Sequence, residues 1–241
     1  MNLLTWNCNM AFRKKFMHVL NDSVDLAVIQ ECEHKDKLTI ALQNIPYNDI
    51  IWYGDNPHKG IAVISFNDVY IKRKPNFNPE FQYVLPVDVT VNDQRLTLFA
   101  IWTMPHKTER QKRYVGQIWG AIHYYKKAFK EASILIGDFN SNAIWDAEYK
   151  IGNHSDVVSF LKVFGISSLY HDLHNEAHGE ESEPTIYLLK QKSKPYHLDY
   201  CFASSSLVTE RTSIDVGAIE DWLMYSDHMP VVVRNLELGR S

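Results

Sequence analysis

The chain predicts an α/β fold in which helices flank two stacked sheets, and three observations carry that prediction. Short runs of β-branched and aliphatic residues recur along the sequence: "NLLTW", "DLAVIQ", "GIAVISF", "YVLPVDVTV", "LTLFAIW", "SILIGDF", "HLDYCFA" and "PVVVRNL". Several are apolar at nearly every position, as expected of strands covered on both faces. Helical periodicity separates the runs, and strand, helix, strand occurs at 2–31 and again at 96–138. Two similar halves facing each other make a helix-flanked two-sheet sandwich.

The helical elements follow in order. "FRKKFMHVLND" places Phe12, Phe16, Val19 and Leu20 on one stripe. "ERQKRYVGQIWGAIHYYKKAFKE" places Tyr114, Ile118, Ile122 and Tyr125 at helical spacing. "SDVVSFLKVFG" opens on a Ser155 cap and stops at Gly165.

With 241 residues, 45% hydrophobic and 22% charged, the chain describes an ordinary globule. No low-complexity tract or Gly/Ser linker divides it, so one domain over 1–241 is expected. The net charge of -4 argues against a surface coated for sequence-blind nucleic-acid binding but leaves room for a local basic groove. Cys8, Cys32 and Cys201 are odd in number and sit in strand-like segments, which fits a reducing compartment. "MNLLTWNCNM" reaches Asn7 too early for a signal peptide or membrane span, so the expectation is a cytoplasmic protein with no membrane association.

Polar residues gather where the apolar runs end. Asn7 and Asn9 follow the first, Gln30 and Glu31 close "LAVIQE", and Asp138 and Asn140 close "ILIGDFN". His197 and Asp199 lie in "HLDYCFA", and Asp227 and His228 precede "PVVV". Side chains two apart in extended chain point to one side, so Asp138 and Asn140 can address one target. Brought together on one rim, these residues offer oxygen ligands for a hard Mg²⁺ or Mn²⁺ ion, a carboxylate base and an imidazole. Phosphoester hydrolysis needs that mixture.

The motifs "TWN", "IQE", "GDFN", "HLDY" and "SDH", in this order and approximate spacing, resemble the endonuclease/exonuclease/phosphatase superfamily, which includes DNase I and the apurinic endonucleases. The resemblance runs from Asn2 to Val233 and implies a four-layer α/β/β/α sandwich. It implies that Glu31 is the principal metal ligand, with Asn7 nearby and Asp227 contributing. Asp138 would activate water, Asn140 would orient that water or the phosphate, and His228 would contact the scissile phosphate while pairing with Asp199. Mg²⁺, with Mn²⁺ as a substitute, and a nucleic-acid substrate follow from the same resemblance. A soluble phosphomonoesterase or a phospholipid or inositol phosphate hydrolase is the alternative, and an inactive phosphate-binding module is a third reading. Two departures bear on it. Asn9 stands where apurinic endonucleases carry a carboxylate, and Trp102 stands where the family generally has His or Tyr. An indole donates one hydrogen bond and transfers no proton, so Trp102 is expected to serve as a phosphate donor or a stacking wall.

Other residues carry weaker signals. Lys107, Arg110, Lys112 and Arg113 cluster before a helix, and Lys59 precedes "GIAV"; both are candidate phosphate contacts. Trp145, close after the "GDFN" turn, is placed beside the substrate groove. "HDLHNEAH" offers His171, His174 and His178 but lacks HExxH and runs into the acidic "GEESEP", so the segment reads as a solvated loop with surface histidines.

Overall fold

The architecture described here is that of a computed structural model of the chain. It describes residues 1–20, 23–106, 108–148 and 150–238. Lys107 and the side chain of Arg110 lie outside the described residues.

Among the described residues fourteen strands follow one another: β1 (Leu3–Asn7), β2 (Leu26–Cys32), β3 (Tyr47–Asn56), β4 (Lys59–Phe66), β5 (Val69–Arg73), β6 (Val84–Val91), β7 (Gln94–Trp102), β8 (Ser133–Asp138), β9 (Ile166–Ser168), β10 (Ile186–Tyr187), β11 (Pro195–Tyr196), β12 (Asp199–Ser204), β13 (Ser213–Val216) and β14 (Val231–Arg234). The helices are α1 (Phe16–Val19), α2 (Lys35–Ala41), α3 (Val115–Tyr124), α4 (His154–Val163), α5 (Leu169–His174) and α6 (Ile219–Trp222). One six-stranded sheet runs β13-β14-β1-β2-β4-β3, the other β5-β6-β7-β8-β12-β9, and β10 pairs with β11 apart from both. β1 pairs with β2 in parallel and β7 with β8 in parallel, while their outer neighbours are antiparallel. The two strand, helix, strand repeats of the sequence are therefore the two parallel pairs at the sheet centres.

Strand alternation sorts the apolar residues into three layers of core. Leu3, Val28, Leu98, Ile134, Ile136 and Cys201 meet between the sheets. Leu4, Trp6 and Ile29 face outward and are covered by Phe12, Val19 and Leu38. Phe99, Leu135 and Phe202 face the other way and are covered by Ile118, Ile122, Val157 and Leu161. Helix, sheet, sheet, helix is the result, and it explains why the central strands are apolar at every position. All three cysteines are free and buried. Among the described residues, no helix is long and apolar enough to cross a membrane.

Three local expectations are corrected. The stripe from Phe12 to Leu20 is a 3₁₀ turn over Phe12–Lys14 followed by α1, broken at Lys15 (φ -124). Lys15 Nζ turns inward and donates to the carbonyls of Cys8 and Tyr225 at 2.7 Å each, anchoring the loop instead of continuing a helix. The segment from Arg110 likewise breaks at Tyr114 (φ 47) before α3 begins. α4 is capped by Asn153 and not by Ser155: Asn153 Oδ1 accepts from Asp156 N at 2.8 Å and Asp156 reciprocates, a capping box that the sequence reading passed over.

Candidate active site

The same alternation that builds the core builds the site. Asn7 and Gln30 continue the inward rows of β1 and β2, and Asp138 and Asp199 continue those of β8 and β12. Asp138 lies opposite Asp199 on one side and opposite Trp102 on the other. At one end of the sandwich the layer between the sheets changes from aliphatic to polar, and the catalytic candidates line that end.

Asp138 is 1% exposed and fully engaged. Asn7 Nδ2 donates to its Oδ2 at 3.0 Å, Asn140 Nδ2 donates to the same oxygen at 3.0 Å, and the Asn140 backbone N–H donates to Oδ1 at 2.9 Å. Asn140 reaches it by a turn, since its φ is 45°. The expected pairing of residues two apart on an extended strand is thus met by different geometry: the strand stops at Asp138 and the chain folds back. Asn140 Nδ2 is also held by the Thr103 carbonyl at 3.0 Å.

His228 faces Asp138 with Nε2 3.9 Å from Oδ2, and its Nδ1 pairs with Asp199 Oδ2 at 2.8 Å. Burial penalises the charged forms of both Asp138 and His228. For Asp138 burial prevails over the attraction of His228 and raises the carboxyl pKa above its ordinary value. For His228 burial acts downward, but Asp199 and then Asp138 outweigh it and raise the imidazole. Both groups are thus displaced toward holding a proton, Asp138 by burial and His228 by its two carboxylate neighbours.

Glu31 breaks the strand rule. By alternation it belongs to the outward row of Ala27 and Ile29, yet a bulge between Gln30 and Cys32, with Glu31 at φ 60°, turns it to the rim. There Oε1 lies 3.5 Å from Asn7 Nδ2 and Oε2 pairs with Lys59 Nζ at 3.1 Å. Lys59 is thereby placed at the site, and its ammonium also lies 5.5 Å from the centre of the Trp102 ring. Trp102 itself is 2% exposed and stacks on Tyr83, with ring centroids 5.0 Å apart, so its place is beneath Lys59 within the core. Asn9 Nδ2 donates to Asp227 Oδ1 at 3.0 Å, which fixes the half-buried Asp227 beside the same rim.

The donors fit a hard divalent ion that keeps most of its waters. Glu31 is a partly exposed carboxylate on the rim, with Asp227 close to Asn7 through Asn9. In this arrangement Asn7 presents its N–H to the carboxylates and its oxygen to Asn9 N at 3.2 Å, so it acts as a bridge. The trio Asp138, Asp199 and His228 has ligand atoms within 4.8 Å of one another, with His228 Nδ1 already engaged by Asp199 Oδ2.

Four further residues position the site; Gln30 and Ser226 fall inside the IQE and SDH motifs, whereas Thr103 and Thr185 carry no sequence signal of their own. Ser226 Oγ donates to the Asn7 carbonyl at 2.7 Å and accepts from His228 N at 3.0 Å, tying the first strand to the "SDH" turn. Thr185 Oγ1 accepts from Leu198 N and Asp199 N, at 2.8 and 3.0 Å. Thr103 holds Asn140, and Gln30 Nε2 spans the sheets from Thr5 Oγ1 at 2.9 Å to the Ile101 carbonyl at 3.2 Å. A buried Ser, Thr or Gln is silent until its partner from a distant segment is known.

A cavity of about 500 Å³ opens beside Asn140. Trp145 and Tyr196 form one wall, their ring centroids 5.2 Å apart, with Arg113 and Tyr114 also lining it. Trp145 thus lines a cavity close to Asn140 while packing against Tyr196. From the basic cluster it is Arg113 that reaches the cavity; Lys112 pairs with Glu80 and Glu109 at the surface.

Comparison with known proteins agrees with this fold. The chain resembles in fold a 3′-5′ exonuclease, NExo, from Neisseria meningitidis (TM-score 0.68, 19% identity, covering 98% of this chain and 100% of that one). It is similar to a Neisseria structure described as the 3′ phosphatase NExo bound to a product DNA hairpin (TM-score 0.68, 18% identity, covering 98% and 99%). It is also similar to an AP endonuclease from Archaeoglobus fulgidus (TM-score 0.69, 17% identity, covering 98% and 99%). No curated protein matches the sequence. The model of the Endonuclease/Exonuclease/phosphatase family matches residues 4–228, from the first strand through His228, and the chain belongs to that family.

Proposed function

We propose that the protein is a Mg²⁺-dependent phosphodiester hydrolase, a nuclease that cleaves DNA or RNA by in-line attack of water on phosphorus. The observation that carries this reading is the buried Asp138, held by Asn7 and Asn140 and facing the Asp199-paired His228 across 3.9 Å. Asp138 takes the proton of the attacking water, and its raised pKa brings its basicity closer to the operating range. Asn140 keeps that carboxylate aimed. His228 presents a proton to a phosphoryl oxygen as charge develops there, and Asp199 holds the ring's other nitrogen. Glu31, with Asp227, would hold the Mg²⁺ or Mn²⁺, which supplies charge neutralisation at the phosphoryl group when bound. Lys59 stands within reach of the same anionic group.

The cavity beside Asn140 supports a substrate larger than free phosphate, because its aromatic wall and its volume suit a nucleotide unit. A relative captured with a DNA hairpin supports nucleic acid as the partner. The same relative's description as a 3′ phosphatase favours one second reading, a phosphomonoesterase working with the same residues. Three buried thiols support a reducing, cytoplasmic setting.

The test is hydrolysis of a mixed panel: duplex and single-stranded DNA, RNA, an abasic duplex and small phosphomonoesters, each with Mg²⁺, Mn²⁺ or EDTA. Metal-dependent cleavage of a polymer, lost in Glu31→Ala, is expected. Turnover of monoesters alone would move the assignment to phosphatase, and binding without turnover would leave a phosphate-binding module.

A further inference from the structure

The segment that reads as a solvated, histidine-bearing loop folds inward. α5 ends at His174 because Asn175 turns left-handed (φ 55), so His174 and His178 do not share a helix. His174 stays outside, stacked on Tyr170. His171, His178 and Glu181 instead converge with His154, from the start of α4, under the loop that follows Asn140.

We propose that His171, His178 and Glu181 form a second metal site, for a borderline divalent ion of the Zn²⁺ class, with His154 orienting His178. One ligand atom from each of the three lies within 4.8 Å of the others. His171 Nε2 is 3.0 Å from Glu181 Oε1, and His154 Nε2 is 3.0 Å from His178 Nδ1. The side chains of His171 and Glu181 are 6% and 4% exposed. Imidazole nitrogen with one carboxylate is the donor set that zinc takes, whereas Mg²⁺ prefers oxygen alone.

Charge bookkeeping points the same way. Glu181 is contacted by Asn142 Nδ2, the Gly179 N–H and His171, with no lysine or arginine in that network. A carboxylate removed from water needs a positive partner. The rings of His171 and His178 stack with centroids 3.5 Å apart, which brings both imidazoles to one place beside Glu181. Outer partners are in place: Ser168 Oγ on His171 Nδ1 at 2.7 Å and Ser141 Oγ on His154 Nδ1 at 2.8 Å. A bound ion would need these donors to close in from their present separations, which lie within 4.8 Å.

The position gives the ion a task. Ser141 and Asn142 follow directly on Asn140, and Asn142 Nδ2 also donates to the His197 carbonyl at 3.0 Å, two residues before Asp199. His197 donates through Nδ1 to the Glu183 carbonyl at 2.7 Å, which leaves its buried Nε2 a lone pair with no partner. An ion on Glu181 would lock the 176–183 loop against the segments that carry Asn140 and Asp199. This is a positioning site behind the rim and independent of which phosphoester is cleaved.

The test is metal content and spectroscopy on the full chain. Protein dialysed free of loose metal is assayed for zinc, then stripped and titrated with Co²⁺ in Mg²⁺-containing buffer. Retained zinc and the visible bands of tetrahedral Co²⁺ are expected in the wild type and in Glu31→Ala. Both are expected to be lost in Glu181→Gln and in the less buried His178→Asn, whose folding is checked by circular dichroism. His154→Asn, which removes the orienting contact to His178 together with the bond to Ser141 and is likewise checked for folding, is expected to weaken Co²⁺ by about 10- to 100-fold. Absence of zinc and of the bands in the wild type would overturn the proposal. So would bands that survive in folded Glu181→Gln and His178→Asn but vanish in Glu31→Ala, since the ion would then belong to the catalytic rim.

Discussion

On the proposed mechanism Asp138 and His228 divide one proton economy between them, and pH should reveal the division. Asp138 must be deprotonated to act as base, and its raised pKa puts the acid limb of the rate profile above the ordinary Asp value. His228 must keep its proton, and its raised pKa puts the alkaline limb above the ordinary imidazole value. A profile of kcat/KM against pH is expected to be bell-shaped, with both limbs displaced upward, and Asp199→Asn should pull the alkaline limb down by removing the carboxylate on Nδ1. Asn140→Ala removes one side-chain donor shared by Asp138 and the Thr103 carbonyl. Its expected cost is about 10²-fold in kcat, measured under saturating substrate, by analogy with the loss of one preorganised donor.

At the scale of elements, the close approach of β7 to β8 sets the site's spacing. Gly137 has φ +142°, and a Cβ there would stand 2.0 Å from the Ile101 carbonyl oxygen and 2.8 Å from Gln30 Nε2. Gly137→Ala should lower unfolding stability by about 2 to 3 kcal/mol in urea titration, because strain and clash with backbone add. Gln30→Ala, which strips the bridge between Thr5 and Ile101, should cost about 1 to 3 kcal/mol by the same measurement. These two positions show what the sequence withholds. The strands that carry Asn7, Asp138 and Asp199 are legible, because apolar runs ending in polar residues need no knowledge of the partner strand. The bulge at Glu31, the turn at Asn140 and the break at Lys15 are set by contacts from distant segments, and local propensity does not report them. His171 and His178 were visible as residues, but Glu181, hidden in an acidic run, and His154, on another helix, supply the context that makes them a cluster.

For the whole molecule, the two parallel strand pairs and their helices place one polar rim at the end of a sandwich whose other inward positions are mostly apolar. Five motifs spread from Asn7 to His228 meet because both sheets contribute central strands to that end. The order of motifs was readable, which is why the fold and the roster of candidates were too. The cavity beside Asn140 was not, because Arg113, Trp145 and Tyr196 come from three separate segments of the chain.

The account stands or falls on Asp138 as the base. The deciding measurement is single-turnover cleavage, in Mg²⁺, of whichever panel substrate the wild type turns over, compared between wild type and Asp138→Asn, with substrate affinity measured in parallel. The substitution keeps the shape of the side chain and removes its basicity. The predicted result is a rate lower by about 10² to 10⁴-fold with little change in affinity. A rate near that of the wild type, or a loss confined to binding, would contradict it.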